Sequence, residues 1–183
     1  EPVSHIYGPG RRFVVWFQGC TLACRGCWNM RMWPHSPNTL IHRQTLLEQM
    51  LATDGLTGIT LLGGEPLQQQ RNTLWLLQRA KEFDLDVMLY SGYSLDEITA
   101  DPGLNEVLGS VDILVAGRYE QNLRNLNLRW RGSENQQLLF LSERYSETTF
   151  AEANEVEVII DSQGAVTFLG YPSSERPLLI ADD

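Results

Sequence analysis

Hydrophobic positions along the chain fall in short blocks separated by glycine-rich or polar turns. Arg12 to Gln18 (RFVVWFQ) is a continuous apolar run with β-branched and aromatic residues, which predicts a strand buried on both faces. The cysteine-bearing segment 19–33 follows as a loop. Ser36-Pro37-Asn38-Thr39 offers helix-capping residues, and Leu40, Leu47 and Leu51, with Leu46 and Met50, then repeat at helical spacing. Gly58 to Leu62 (GITLL) reads as a second buried strand, ended by Gly63-Gly64. A helix from about Gln68 to Phe83 aligns Leu76, Ala80 and Phe83 on one face. Asp86 to Tyr90 (DVMLY) is a third strand, Ser94 caps a short helix through Ala100, and Asp112 to Ala116 (DILVA) is a fourth strand.

Alternating strands and helices, with strands apolar on both faces, predict a parallel sheet covered by helices and joined by right-handed crossovers. The first 120 residues therefore read as a curved or open α/β layer. Beyond them the pattern changes. Residues 121–137 are polar and rich in Asn and Arg, hence loop, and Leu138–Leu141 is a short strand. Val156–Ile160 and Ala165–Leu169 flank the turn Asp161-Ser162-Gln163-Gly164 and read as a β-hairpin. The chain thus divides into a core over residues 1–142 and an extension over residues 143–183, with a loose tail from Ser173.

At 183 residues, 43% hydrophobic and 20% charged, the chain has the size and balance of one globular domain. No apolar run approaches the roughly 18 residues that span a bilayer. The start, EPVSHIYGPGRR, has no signal-peptide core, and the missing Met predicts a trimmed or partial start. Fourteen basic against 23 acidic residues give a net charge of −9. Such a surface repels nucleic acid and anionic membrane, except where Arg118, Arg124, Arg129 and Arg131 fall close together.

The three cysteines change the picture most. Cys20, Cys24 and Cys27 lie within eight residues and are the only ones in the chain. An odd, clustered set makes a poor disulfide framework and points to a reducing, cytoplasmic compartment. Thiols spaced three and four apart can converge on a metal. Three are one short of a closed tetrahedral zinc site and of an ordinary four-cysteine ferredoxin cluster. His35 is a possible fourth zinc ligand. The remaining alternatives are a four-iron cluster with one open iron, and three cysteines packed as small hydrophobes. An open iron can bind a ligand and pass it an electron.

Cys20-x-x-x-Cys24-x-x-Cys27 resembles the cluster motif of the radical S-adenosylmethionine (SAM) enzymes. Other segments are similar to one branch, the small activating enzymes of anaerobic (class III) ribonucleotide reductase. They are Gly8-Pro9-Gly10-Arg11-Arg12, Gln18-Gly19-Cys20, Arg25-Gly26-Cys27-Trp28-Asn29 with Trp33, Leu62-Gly63-Gly64-Glu65-Pro66-Leu67, Tyr90-Ser91-Gly92-Tyr93, Asp112–Gly117 and Trp130-Arg131-Gly132-Ser133-Glu134-Asn135-Gln136. The resemblance covers roughly residues 6–140. It departs at Ala116 and Glu65, where the family usually or often has Asp.

The resemblance implies a partial open (β/α) barrel of radical SAM type carrying a C-terminal β-hairpin extension. It implies that Cys20, Cys24 and Cys27 hold a four-iron, four-sulfur (4Fe-4S) cluster. The unique iron would chelate SAM, whose reductive cleavage yields a 5′-deoxyadenosyl radical. Gly63, Gly64, Glu65 and Pro66 would form the SAM-binding turn, with backbone carbonyls and Glu65 accepting from the methionyl ammonium. Trp28 and Asn29 would lie beside the cofactor, and Phe17, Trp28 and Trp33 would limit water access. Ser91 and Gly92 would contact ribose or carboxylate, and Arg118 would pair with the SAM carboxylate. The implied partners are a glycyl-radical protein, whose glycine loses its Cα hydrogen, and a reduced flavodoxin- or ferredoxin-type electron donor. Other expectations stay open: the same chemistry on a peptide or small molecule, and an electron-transfer module without SAM chemistry.

Overall fold

The computed structural model describes residues 3–36, 38–147, 150 and 155–170. The expected tail from Ser173 lies outside the described residues. The apolar runs become the strands β1 (Arg12–Phe17), β2 (Gly58–Gly63), β3 (Asp86–Ser91) and β4 (Ile113–Ala116), which pair in sequence order and in parallel. A short β5 (Gln137–Phe140) closes the row antiparallel to β4. The sheet is open, in the order β1-β2-β3-β4-β5.

The intervening helices are α1 (Arg43–Leu51), α2 (Gln70–Glu82), α3 (Leu95–Ala100) and α4 (Pro102–Leu108). Each parallel step moves the same way along the sheet, so right-handed crossovers bring the helices to one face. There Phe13, Ile59, Leu61, Val87, Leu89, Leu114 and Ala116 pack against Leu47, Met50, Leu76, Leu77, Ala80, Ile98 and Val107 in one buried core. Alternation along a strand sends the neighbouring residues to the other face. That face is covered without helices. Ile6, Tyr7 and Leu169 lie over Val14, Leu62 and Trp16, while Trp130, Tyr145 and Phe150 lie over Met88, Ile113 and Val115 and the β5 residue Phe140.

A polar cluster is buried at the amino-terminal end of that second face. Arg12 is fully buried, and its guanidinium donates to Asp86 Oδ1 (2.5 Å), Thr60 Oγ1 (2.7 Å) and Pro9 O (2.9 Å). Asp86 also accepts from the Tyr145 hydroxyl (2.9 Å). This cluster ties the first three strands together at the end opposite the cysteines. Beside it, Lys81, Ser142 and the Val87 N–H converge on Asp112.

Three sequence expectations shift. The helix expected from Leu40 begins at Arg43, capped by His42 Nδ1, and Leu40 is 85% exposed. The reason lies upstream: Trp33 O and Pro34 O are pulled back to Cys20 N and Gln18 Nε2, so the chain must leave that anchor before it can coil. The helix expected from Gln68 is preceded by a 3-10 turn, Pro66–Gln69. Helix α4 was not expected. Its signal is Asp101 capping Gly103 and Leu104, with Pro102 at the first helical position.

The expected hairpin is present as β6 (Val156–Ile160) and β7 (Val166–Gly170), a separate two-stranded sheet. It is fastened to the start of the chain by Leu169 packing with Ile6 and Tyr7, by Gly170 N donating to the Tyr7 hydroxyl (3.0 Å), and by Ser4 Oγ donating to Glu157 (2.9 Å). The architecture is a mixed α/β layer with a parallel sheet and this attached hairpin. Among the described residues no helix is long and apolar enough to cross a membrane.

Candidate cofactor site

Ligands gather at the carboxyl edge of parallel sheets, because the connecting loops leave a crevice there. Here that edge carries the cysteine loop after β1, the Gly63-Gly64-Glu65 turn after β2, Ser91-Gly92 after β3 and Gly117 after β4. All of these line one cavity of about 120 Å³ with Cys20, Cys24 and Cys27.

The cysteine loop is closed at its base by backbone bonds from Gly19 N to Met32 O (2.8 Å) and from Cys20 N to Trp33 O (3.0 Å). Gln68 grips it from the side, accepting from Thr21 N and donating to Thr21 Oγ1 (2.7 Å). Gln69 Nε2 donates to Gln18 O (2.8 Å). Asn29 N lies 3.4 Å from Cys27 Sγ and donates to it. Burial pushes the Cys20 and Cys24 thiols up, opposed by the backbone amides of Leu22 and Ala23 at Cys20 and of Tyr119 at Cys24. Donors aimed at sulfur favour the thiolate, the form that binds metal. Among the described residues no three His, Cys, Asp or Glu side chains gather round a single ion position. His35 packs against the Gly19 backbone. A zinc ion would need the sulfurs round one point, whereas a four-iron cluster places each thiolate on a different iron. The donor set fits the cluster.

The turn after β2 could not be built from other residues. Gly63 sits at φ +113°, and a Cβ on Gly64 would lie 2.3 Å from Gly19 O. This close approach lets Gly64 N donate to Phe17 O (2.7 Å) and Glu65 N to Gly19 O (2.8 Å), locking the turn to the cysteine loop. Pro66 then opens the 3-10 turn.

Glu65 is buried at 1% exposure. Its Oε1 accepts from Leu67 N (3.0 Å) and Ser91 Oγ (3.0 Å), and its Oε2 from Gly92 N (2.7 Å). Burial drives its carboxyl up to about 7, against these three donors. The carboxylate therefore first joins the end of β2 to the end of β3. Ser91 is likewise occupied, donating to Glu65 and accepting from Tyr93 N (3.1 Å). Arg118 is not presented to the cavity as a free fork. Its guanidinium makes a bidentate pair with Glu97 (2.6 and 2.9 Å) and lies over the Tyr93 ring. That pair holds the Glu97 carboxyl down at about 2. Reading a carboxylate with Arg118 would require an exchange of partners. Trp28, 41% exposed beneath Arg124, lines the cavity together with Asn29 and Trp33.

Sequence reasoning did not single out Gln68, Gln69 or Tyr119. The glutamines follow the Gly-Gly-Glu-Pro turn directly, and Tyr119 follows the end of β4, so their nearness to strand ends was the available signal.

Three thiols at the carboxyl edge of a parallel sheet, with a glycine turn facing them, define an α/β protein that binds a metal cluster. Residues 6–139 match the family model described as a 4Fe-4S single cluster domain. Anaerobic ribonucleoside-triphosphate reductase-activating proteins from Pasteurella multocida and Escherichia coli are each 34% identical, over 144 and 143 residues. The alignments cover 74% of this chain and 90% and 92% of those relatives. The namesake from Enterobacteria phage T4 is 34% identical over 145 residues, 75% of this chain and 88% of its own. The chain belongs to the family of anaerobic ribonucleoside-triphosphate reductase-activating proteins.

Proposed function

We propose that the protein is a radical SAM enzyme that generates a glycyl radical on an anaerobic ribonucleotide reductase. The observation that carries this reading is one cavity shared by the three cysteine sulfurs and the Gly63-Gly64-Glu65 turn. With cluster and SAM bound, the site would supply one-electron cleavage of the sulfonium bond, followed by abstraction of a glycine Cα hydrogen.

The chain's own residues hold and orient these groups. Cys20, Cys24 and Cys27 hold the cluster. The close seat of Gly64 on Gly19 sets the turn directly beside it, so carbonyls there can accept from the SAM ammonium. Glu65, Ser91 and Gly92 fix the ends of β2 and β3 under the ligand. Trp28, Asn29 and Trp33 limit water access. The sequential strand order with helices on one face suits an open segment of a (β/α) barrel, whose open edge would admit a protein loop as substrate. The electron donor is a reduced flavodoxin or ferredoxin type, and the compartment is the anaerobic cytoplasm.

The test is anaerobic reconstitution, dithionite reduction and assay for 5′-deoxyadenosine with and without the reductase. Product stimulated by the reductase, with a glycyl signal in its EPR spectrum, is the expected result. Stimulation by a peptide or small molecule would redirect the substrate assignment. A cluster spectrum indifferent to SAM would leave an electron carrier.

A further inference from the structure

Charge is unevenly distributed along this chain. Against a net charge of −9, residues 2–47 hold Arg11, Arg12, Arg25, Arg31 and Arg43 and no Asp or Glu. A second acid-free stretch, residues 121–133, holds Arg124, Arg129 and Arg131. The fold sets the cysteine loop and this stretch side by side. Gln121 packs on Gly26, where a Cβ would lie 2.8 Å from its side-chain amide carbon, and Arg124 stacks 4.6 Å over the Trp28 ring.

The seam between the two segments is an exposed patch. Trp28, Met30 and Leu123 present large apolar side chains to solvent, and Arg25, Arg31 and Arg124 of the same segments are exposed with them. Other cations of the chain are neutralised: Arg12, Arg79, Lys81, Arg118, Arg129 and Arg144 each pair with a carboxylate. Among the described residues no carboxylate pairs with Arg25, Arg31 or Arg124. Apolar side chains accompanied by exposed charge are the anatomy of a protein interface. Three apolar side chains make a small one, on the scale of a transient redox encounter rather than of a permanent complex. The patch also adjoins the cluster ligands. Arg25 stands between Cys24 and Cys27, and Trp28 follows Cys27 and lines the cavity. A protein seated here reaches the cluster's edge without entering the cavity.

We propose that the patch of Arg25, Trp28, Met30, Arg31, Leu123 and Arg124 docks an acidic one-electron carrier protein that reduces the cluster. The inference rests on the cluster assignment above and adds the surface through which the electron enters. One electron passes from the reduced carrier to the cluster, and no bond forms or breaks between the two proteins. Unpaired arginines attract an acidic partner, while the net negative charge of the chain repels it from other faces. The patch therefore raises the encounter rate and selects the orientation that brings the carrier to the cluster.

The probe is a reduced bacterial flavodoxin, mixed anaerobically with reconstituted protein. Cluster reduction is followed by stopped-flow absorbance, and binding of the oxidised flavodoxin by calorimetry. The double variant Arg31→Glu with Arg124→Glu is expected to load the same iron as wild type and to be reduced by dithionite to the same extent. Its rate with flavodoxin at low salt should fall at least about tenfold, and its binding should weaken in step. The wild-type rate should fall steeply with added salt, while that of the variant stays nearly flat. Arg11→Glu is the control. It makes the same change of charge at the opposite end of β1 from the cysteines and should leave the rate within about twofold of wild type. A double variant reduced by flavodoxin as fast as wild type overturns the inference, as does an equal loss in Arg11→Glu. Weakened binding of the reductase with unchanged binding of flavodoxin would assign the patch to the reductase, and the inference fails. Should the double variant load no iron, flavodoxin binding to its metal-free form decides, with undiminished binding relative to metal-free wild type counting against the patch. A wild-type centre that dithionite cannot reduce fails the cluster reading itself. That result is distinct from a reducible cluster on which flavodoxin acts without regard to Arg31 and Arg124.

Discussion

Glu65 is the residue where burial and hydrogen bonding contend most directly. Its carboxyl rises from 4.5 to about 7 because burial outweighs the donors from Gly92, Leu67 and Ser91. Between those values the folded chain keeps a proton that the unfolded chain has released. Stability contributed by this group is full below pH 4.5 and is lost as pH climbs to about 7, by about 1.4 kcal/mol for each tenfold fall in proton concentration. Urea denaturation of the metal-free chain at pH 5 and pH 7 should show the fall, and Glu65→Gln should flatten it. Gln also places an amide N–H against one of the existing donors, so the variant should be less stable by about 1–3 kcal/mol at pH 5. A wild-type profile that rises over this range would show the carboxylate to be the native form. At the cysteines the expectation is simpler. Cys24→Ala removes one iron ligand of three, and reconstituted iron should fall from about four per chain to near none, read by iron analysis. Unchanged iron would count against the ligand assignment.

At the scale of elements, the strands were legible because parallel strands covered on both faces must be apolar throughout, as in Phe13–Phe17 and Ile59–Leu62. The cysteine loop and the glycine turn after β2 stood out in the sequence because three thiols within eight residues and a Gly-Gly-Glu-Pro turn behind a strand are rare patterns. The bonds from Asn135 Nδ2 to Arg118 O and from Gln136 Nε2 to Gly117 O did not, since side-chain amides bonded to a loop backbone leave no periodic trace. The direction of β5 was hidden too, because Leu138–Phe140 would look the same running either way. Least legible was the buried pairing of Arg12, a charge at the head of an apolar run that is itself fully buried. Its partner tests the point. Asp86→Ala leaves a buried guanidinium uncompensated and should cost about 3–5 kcal/mol by urea denaturation. The double replacement Arg12→Met with Asp86→Leu should recover most of that, because a well-packed apolar pair of similar volume often substitutes for a buried ion pair. Additive losses would show that the two side chains do not act as a unit.

At the scale of the whole molecule, the family match ends at residue 139, yet the structure continues into the β6–β7 hairpin. Two strands alone are marginal in water, so the hairpin depends on what fastens it. Among its described residues only Leu169 is buried, against Ile6 and Tyr7, while Val156, Val158, Ile160 and Val166 are exposed. Tyr7 in turn meets Trp16 edge-on at 5.2 Å, so the attachment runs from hairpin through the chain's start to β1. The parallel sheet has its own helix-side core and does not need this contact. Leu169→Ala, a loss of about 2–3 kcal/mol at one anchor, should therefore release the hairpin locally rather than unfold the chain. Hydrogen exchange should show amides of 156–170 losing protection while those of β2 and β3 keep it, and reconstituted iron should be unchanged. Loss of protection in β2 and β3 to the same degree would mean that hairpin and sheet form one cooperative unit, with the covered second face as necessary to the fold as the helical one.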